Sequence, residues 1–133
     1  MRKLALAFLT SGSLLAACAP PHEDSGEELY REFCVSCHGV SGKGDGPAAA
    51  GLSRRPADLT RISARNGGTF PMAYVLSTID GYTRAEEGRL TMPEFGVMME
   101  DQPRVMVDTG DGILTPTPRP LVELAEYLRG IQE

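Results

Sequence analysis

Cys34, Cys37 and His38 stand in the run Cys34-Val35-Ser36-Cys37-His38, and their spacing carries the most specific chemistry in the chain. Two thiols three residues apart near a helix end can each add to a vinyl group on one edge of a porphyrin. The imidazole next in sequence then lies under the ring, where it can bind iron, so the run has the pattern of a covalent haem attachment site. Two other uses of a C-x-x-C pair lack their surroundings. A thioredoxin-type redox site needs a βαβ setting. A zinc site needs a second cysteine pair or a histidine cluster, and no cysteine or histidine follows His38. The remaining histidine, His22, sits in a short polar stretch and reads as solvated, which leaves His38 as the proximal ligand.

The opposite face of the iron must be filled by a methionine, by a weaker group, or by nothing. Met72, Met92, Met98, Met99 and Met106 follow the motif. Methionine is most often core filler, and Met72 falls on an apolar helix face. Met92 differs because it lies in Leu90-Thr91-Met92-Pro93-Glu94-Phe95-Gly96, where proline and glycine can hold the chain extended against a flat ring. Arg54, Arg55, Arg61 and Arg65, with Tyr74 and Tyr82, are candidate donors to buried propionates, although each is as easily a solvated surface residue.

These residues need elements to position them. Ser25 and Glu28 form a capping-box pattern ahead of Leu29, Tyr30 and Phe33, so a helix should run into the cysteine motif. Residues 39–47 are loop by composition; their glycines lack the strand and lysine of a phosphate-binding loop. Short turns are expected at residues 47–52 and 58–64. A helix is predicted from Pro71 to Ile79, with Pro71 in its first turn and Gly81 as its stop. Residues 88–96 read as loop. Val105 to Val107 and Ile113-Leu114 flank Asp-Thr-Gly-Asp-Gly, a pattern that permits a small hairpin. A last helix is predicted over residues 118–131, capped by Thr117 and burying Leu121, Leu124, Leu128 and Ile131. The expected class is mostly α, three to five helices with long loops and one small β-hairpin. Such a chain is poor in aromatics and has little core of its own, so a large apolar cofactor would supply what the side chains lack.

The chain has 133 residues, enough for one domain. Arg2 and Lys3 precede an apolar run over residues 4–15, the length of a signal-peptide core and short of the roughly 20 residues a spanning helix needs. Leu15-Ala16-Ala17-Cys18 resembles the lipobox of bacterial lipoproteins, which implies a leader over residues 1–17 and a diacylglyceryl thioether on Cys18. Residues 18–24 would then be a lipidated tether, its last six residues reaching about 20 Å at most, and residues 25–133 the haem domain. Loss of the leader leaves 11 basic against 18 acidic residues, a formal charge of −7. That balance excludes nucleic acid as a partner and suits a negative face toward a basic one. Lys3 and Lys43 are the only lysines, so a broad lysine docking ring is excluded.

From residue 25 onward the chain resembles the class I monohaem cytochromes c. Gly26 and Tyr30 match the family's Gly-x-x-x-aromatic ahead of C-x-x-C-H, Gly46-Pro47 its proline after the motif, and Met92-Pro93 its distal methionine loop. Leu124, Tyr127 and Leu128 match its closing helix, while residues 95–117 exceed the compact family pattern. The resemblance implies a cytochrome c fold around one covalent haem c, with thioethers at Cys34 and Cys37 and His38 and Met92 as axial ligands. It implies a one-electron carrier of a bacterial periplasmic electron-transport chain, not an enzyme. Redox proteins would dock at the exposed haem edge, and no small-molecule substrate is expected. The lipid at Cys18 would hold it on the periplasmic side of a membrane. A haem-bearing subunit of a larger membrane oxidoreductase is the alternative, and a five-coordinate haem enzyme or sensor a more distant one.

Overall fold

The computed structural model describes residues 25–83, 92–110 and 112–133. The leader, Cys18 and His22, and the loop before Met92, lie outside the described residues. In the first helix, α1 (Gly26–Phe33), the Ser25 hydroxyl accepts from the Glu28 amide at 3.3 Å and the Glu28 carboxylate accepts from the Ser25 amide at 2.7 Å. That reciprocal cap satisfies two otherwise orphaned donors and bears out the pattern in the sequence. Cys34 breaks the helix, and a single further turn, α2 (Val35–His38), carries the rest of the motif.

Short pieces follow: 3₁₀ turns at Ala49–Gly51 and Leu59–Arg61, then α3 (Ile62–Arg65). The Asp58 carboxylate caps the second turn by accepting from the Thr60 amide at 2.9 Å. Next come α4 (Met72–Asp80), α5 (Phe95–Met99), strands β1 (Arg104–Asp108) and β2 (Leu114–Pro118), and α6 (Arg119–Gly130). The strands form the expected antiparallel hairpin, with Met106 opposite Pro116. The Asp108 carboxylate accepts from the Gly110 and Gly112 amides at 2.8 and 3.0 Å, which closes the connection.

Three boundaries depart from expectation, one of them at Phe95, where α5 starts inside the stretch read as loop to residue 96. Pro71 takes the cap position of α4 instead of opening its first turn: its ψ of 77° is not helical, and its carbonyl accepts from the Val75 amide at 3.0 Å. Thr117 does not cap α6. It belongs to β2, where its hydroxyl donates to the Thr115 carbonyl, and Pro118 takes the cap position. Helix α6 begins at Arg119, so Thr117 sits one residue ahead of the cap position and pairs with Val105 in the hairpin instead.

The core is where α1, α4 and α6 meet. Leu29, Tyr30, Val75, Leu76, Ile79, Leu121, Leu124, Ala125 and Leu128 are buried there, with Phe95 and Met99 of α5 closing one side. Helix α1 crosses α6 at Gly26, where any Cβ would fall on the Glu123 carbonyl. Close approach of the backbones lets the Tyr30 and Tyr127 rings meet at 5.2 Å between centroids.

The candidate haem site

The cysteine motif is held from both sides. The buried Tyr30 hydroxyl donates to the Gly39 carbonyl at 2.7 Å, just past His38. Residues 44–48 fold back under α2: the Gly44, Gly46 and Ala48 amides donate to the His38, Cys37 and Ser36 carbonyls at 2.8, 3.1 and 2.8 Å. Gly46 has to be glycine, since a Cβ would strike the Val35 and Ser36 carbonyls.

Cys34, His38 and Met92 open onto one slot. Two adjoining cavities of about 610 and 300 Å³ share all three residues, along with Arg54, Ala57, Tyr74 and Thr78. Cys37 faces the smaller cavity, and the larger runs deeper between α3, α4 and α6, with Leu59, Val75, Ile79, Leu124 and Leu128 on its walls. The arrangement suits a flat, mostly apolar group that meets two sulfurs at one edge, an imidazole, and a thioether, so the donor set fits a haem.

The His38 imidazole is oriented by the backbone. Its Nδ1 lies 3.0 Å from the Ala57 carbonyl. A carbonyl only accepts, so Nδ1 carries the proton and the lone pair sits on Nε2. Burial holds the His38 pKa below its ordinary value, with the Ala57 bond opposing, so the ring is neutral at neutral pH. A neutral imidazole is the ligand form. Burial, then the neighbouring Cys37, pushes the Cys34 thiol up to about 11. A thioredoxin-type cysteine needs the opposite shift. Among the described residues there is also no group of three or more histidine, cysteine or acidic side chains able to hold a metal ion.

The structure sorts the remaining candidates. Met92 lines both cavities, whereas Met99 is buried in the core, Met98 and Met106 are exposed, and Met72 packs half-buried against the core. Arg54 lines both cavities and Arg65 the deeper one; Arg61 lines neither. Arg55 borders the smaller cavity, with its guanidinium engaged by the Gly44 and Lys43 carbonyls at 3.3 Å each. Tyr74 faces the slot and Tyr82 does not. Sequence reasoning missed Ala57, because a backbone carbonyl leaves no mark in residue type.

The fold and the slot define a c-type cytochrome domain of class I, a haem-bearing electron-transfer module. The model of the family described as cytochrome c oxidase, cbb3-type, subunit III matches residues 21–108, and the chain belongs to that family. Its cofactor is therefore covalently bound haem c. Comparison with curated proteins and with solved structures gave no match.

Proposed function

We propose that this chain is a one-electron carrier in which Cys34 and Cys37 form the two haem thioethers and His38 and Met92 are the axial ligands. Met92 in the same slot as a pre-oriented His38 is the observation that carries this reading. The haem supplies reversible one-electron iron chemistry. With the haem bound, His38 would offer Nε2 and Met92 its thioether to the iron, and the apolar walls would limit access of water and substrate. Thioether ligation and burial together favour ferrous iron and raise the potential relative to two histidines. Arg54 and Arg65 are the arginines placed to meet propionates.

The test is a potentiometric titration of the visible spectrum. Met92→Ala should lose the methionine–iron charge-transfer band of the oxidised protein and show a large fall in midpoint potential. An unchanged spectrum removes Met92 from the iron and opens the enzyme or sensor reading.

The lipobox supports attachment through Cys18 on the periplasmic side of a bacterial membrane, with redox proteins docking at the exposed haem edge. Among the described residues no helix is long and apolar enough to cross a membrane. Family membership favours a second reading, a haem-bearing subunit fixed within a larger membrane oxidoreductase. Pull-down of the native protein from mild detergent separates the two: a solitary, freely extracted cytochrome supports the carrier, and stoichiometric co-purification of membrane subunits supports the fixed subunit.

A further inference from the structure

Residues 57–63 form the wall behind His38, and the C-terminal end of the chain pins that wall from outside. The amide of Gln132 makes three hydrogen bonds there: Oε1 accepts from the Ser63 amide at 2.8 Å, and Nε2 donates to the Leu59 and Leu128 carbonyls at 2.8 and 2.6 Å. One side chain thus joins the last helix to both ends of a five-residue stretch. The Glu133 amide adds a bond to the Thr60 carbonyl at 2.9 Å, and the Leu59 amide donates to the Gly42 carbonyl at 2.7 Å. Two residues before Leu59, the Ala57 carbonyl takes the Nδ1 proton of His38. Asp58 between them turns its carboxylate back onto Thr60, so little slack remains between Ala57 and the clasp.

We propose that Gln132 is a positioning residue for the His38 imidazole: by holding Leu59 and Ser63 it fixes the Ala57 carbonyl against Nδ1 and sets how strongly Nε2 donates to the haem iron. This rests on the haem assignment proposed above. A carbonyl on Nδ1–H draws that proton toward itself and makes the ring a stronger donor, which favours ferric iron. Slackening the wall lengthens the bond, raises the midpoint potential and exposes the Nδ1 proton to exchange.

The test uses the holoprotein. Gln132→Met keeps the side-chain volume and removes all three hydrogen bonds. Lys43→Ala cuts the exposed ion pair to Glu133, 3.0 Å long, and loosens only the last residue. In Gln132→Met the His38 Nδ1 proton, followed by NMR in the ferrous state, should exchange about tenfold faster. Its midpoint potential should rise and its methionine–iron band remain. Both quantities stay at wild-type values in Lys43→Ala. A Gln132→Met protein with a lower melting temperature but unchanged exchange and potential overturns the proposal and leaves Gln132 a structural staple. A fall in potential overturns it too, because that is water entering the slot. Gln132→Leu also removes all three hydrogen bonds without adding a charge, and reads the same two quantities in the same direction if Gln132→Met does not fold. Failure of the haem assignment shows separately: His38→Ala would then keep the wild-type haem spectrum.

Discussion

Tyr30 serves two parts of the molecule at once, packing on Tyr127 and bonding the Gly39 carbonyl behind the motif. Burial, followed by weaker effects of Cys34, Tyr127 and Asp45, lifts its pKa to about 12 from 10. A phenol whose folded pKa is raised stabilises the fold below its unfolded pKa and loses that contribution as pH rises toward the folded one. Stability should therefore fall by up to about 1.4 kcal/mol per pH unit between pH 10 and about 12 on account of Tyr30. In Tyr30→Phe that component of the alkaline slope disappears, and stability at pH 7 drops by about 1 kcal/mol as the Gly39 carbonyl loses its donor. Denaturant titrations of both proteins across this range check the sign. The methionines give a second prediction at this scale. Met98→Ala and Met106→Ala should leave the oxidised spectrum unchanged, since both side chains are exposed and away from the slot.

At the scale of elements, the close contacts at Gly26 and Gly46 decide how the site is held. Gly26 sets the crossing of α1 over α6, and Gly46 sets the return of residues 44–48 beneath α2. Gly26→Ala should destabilise the fold by about 1–3 kcal/mol, because the added methyl meets backbone that has no side-chain freedom to yield. Gly46→Ala should do the same and also disturb the haem environment, since the carbonyls it strikes belong to the motif. Chemical denaturation and the haem absorption spectrum separate the two effects: the first variant shifts only the denaturation midpoint, the second shifts both. The hairpin and α5 account for the stretch beyond the compact cytochrome pattern. They pack against α6, with the Arg119 amide donating to the Pro103 carbonyl at 2.8 Å.

Charge is divided unevenly over the whole molecule. Residues 39–65 carry Lys43, Arg54, Arg55, Arg61 and Arg65 against only Asp45 and Asp58. The rest of residues 18–133 holds six basic and sixteen acidic side chains. Arg54, Arg55 and Arg65 border the slot, so this side carries local positive charge that two propionates would offset in part. The net charge would repel an acidic redox partner at long range, but an acidic patch on a partner would be oriented to these arginines at contact. That part of the electron-transfer rate should weaken as salt rises to physiological ionic strength, where screening acts over about 8 Å. Arg54→Glu should slow the reaction at low salt and flatten its salt dependence; stopped-flow kinetics measure both. On the proposed lipid attachment, Cys18→Ser should move the cytochrome from the membrane to the soluble fraction on cell fractionation.

Sequence alone determined the features whose chemistry is local. Five adjacent residues specify covalent haem attachment because thiol spacing and the following imidazole are matched to one porphyrin edge, and the Ser25–Glu28 cap and the α6 stripe follow from bonds and periodicity within a few residues. Met92 was legible from its proline, though only as one of five methionines. Tertiary structure decided what depends on chain segments far apart: that Met92, alone among the described methionines, faces the slot, that Arg54 and Arg65 reach it while Arg61 does not, and that Thr117 lies in β2 ahead of the helix. It also brought the Ala57 carbonyl to His38 and the Gln132 amide to the wall behind it. A backbone carbonyl is the same group in every residue, so only its place in space, set by packing across nineteen residues in one case and about seventy in the other, makes it part of the site.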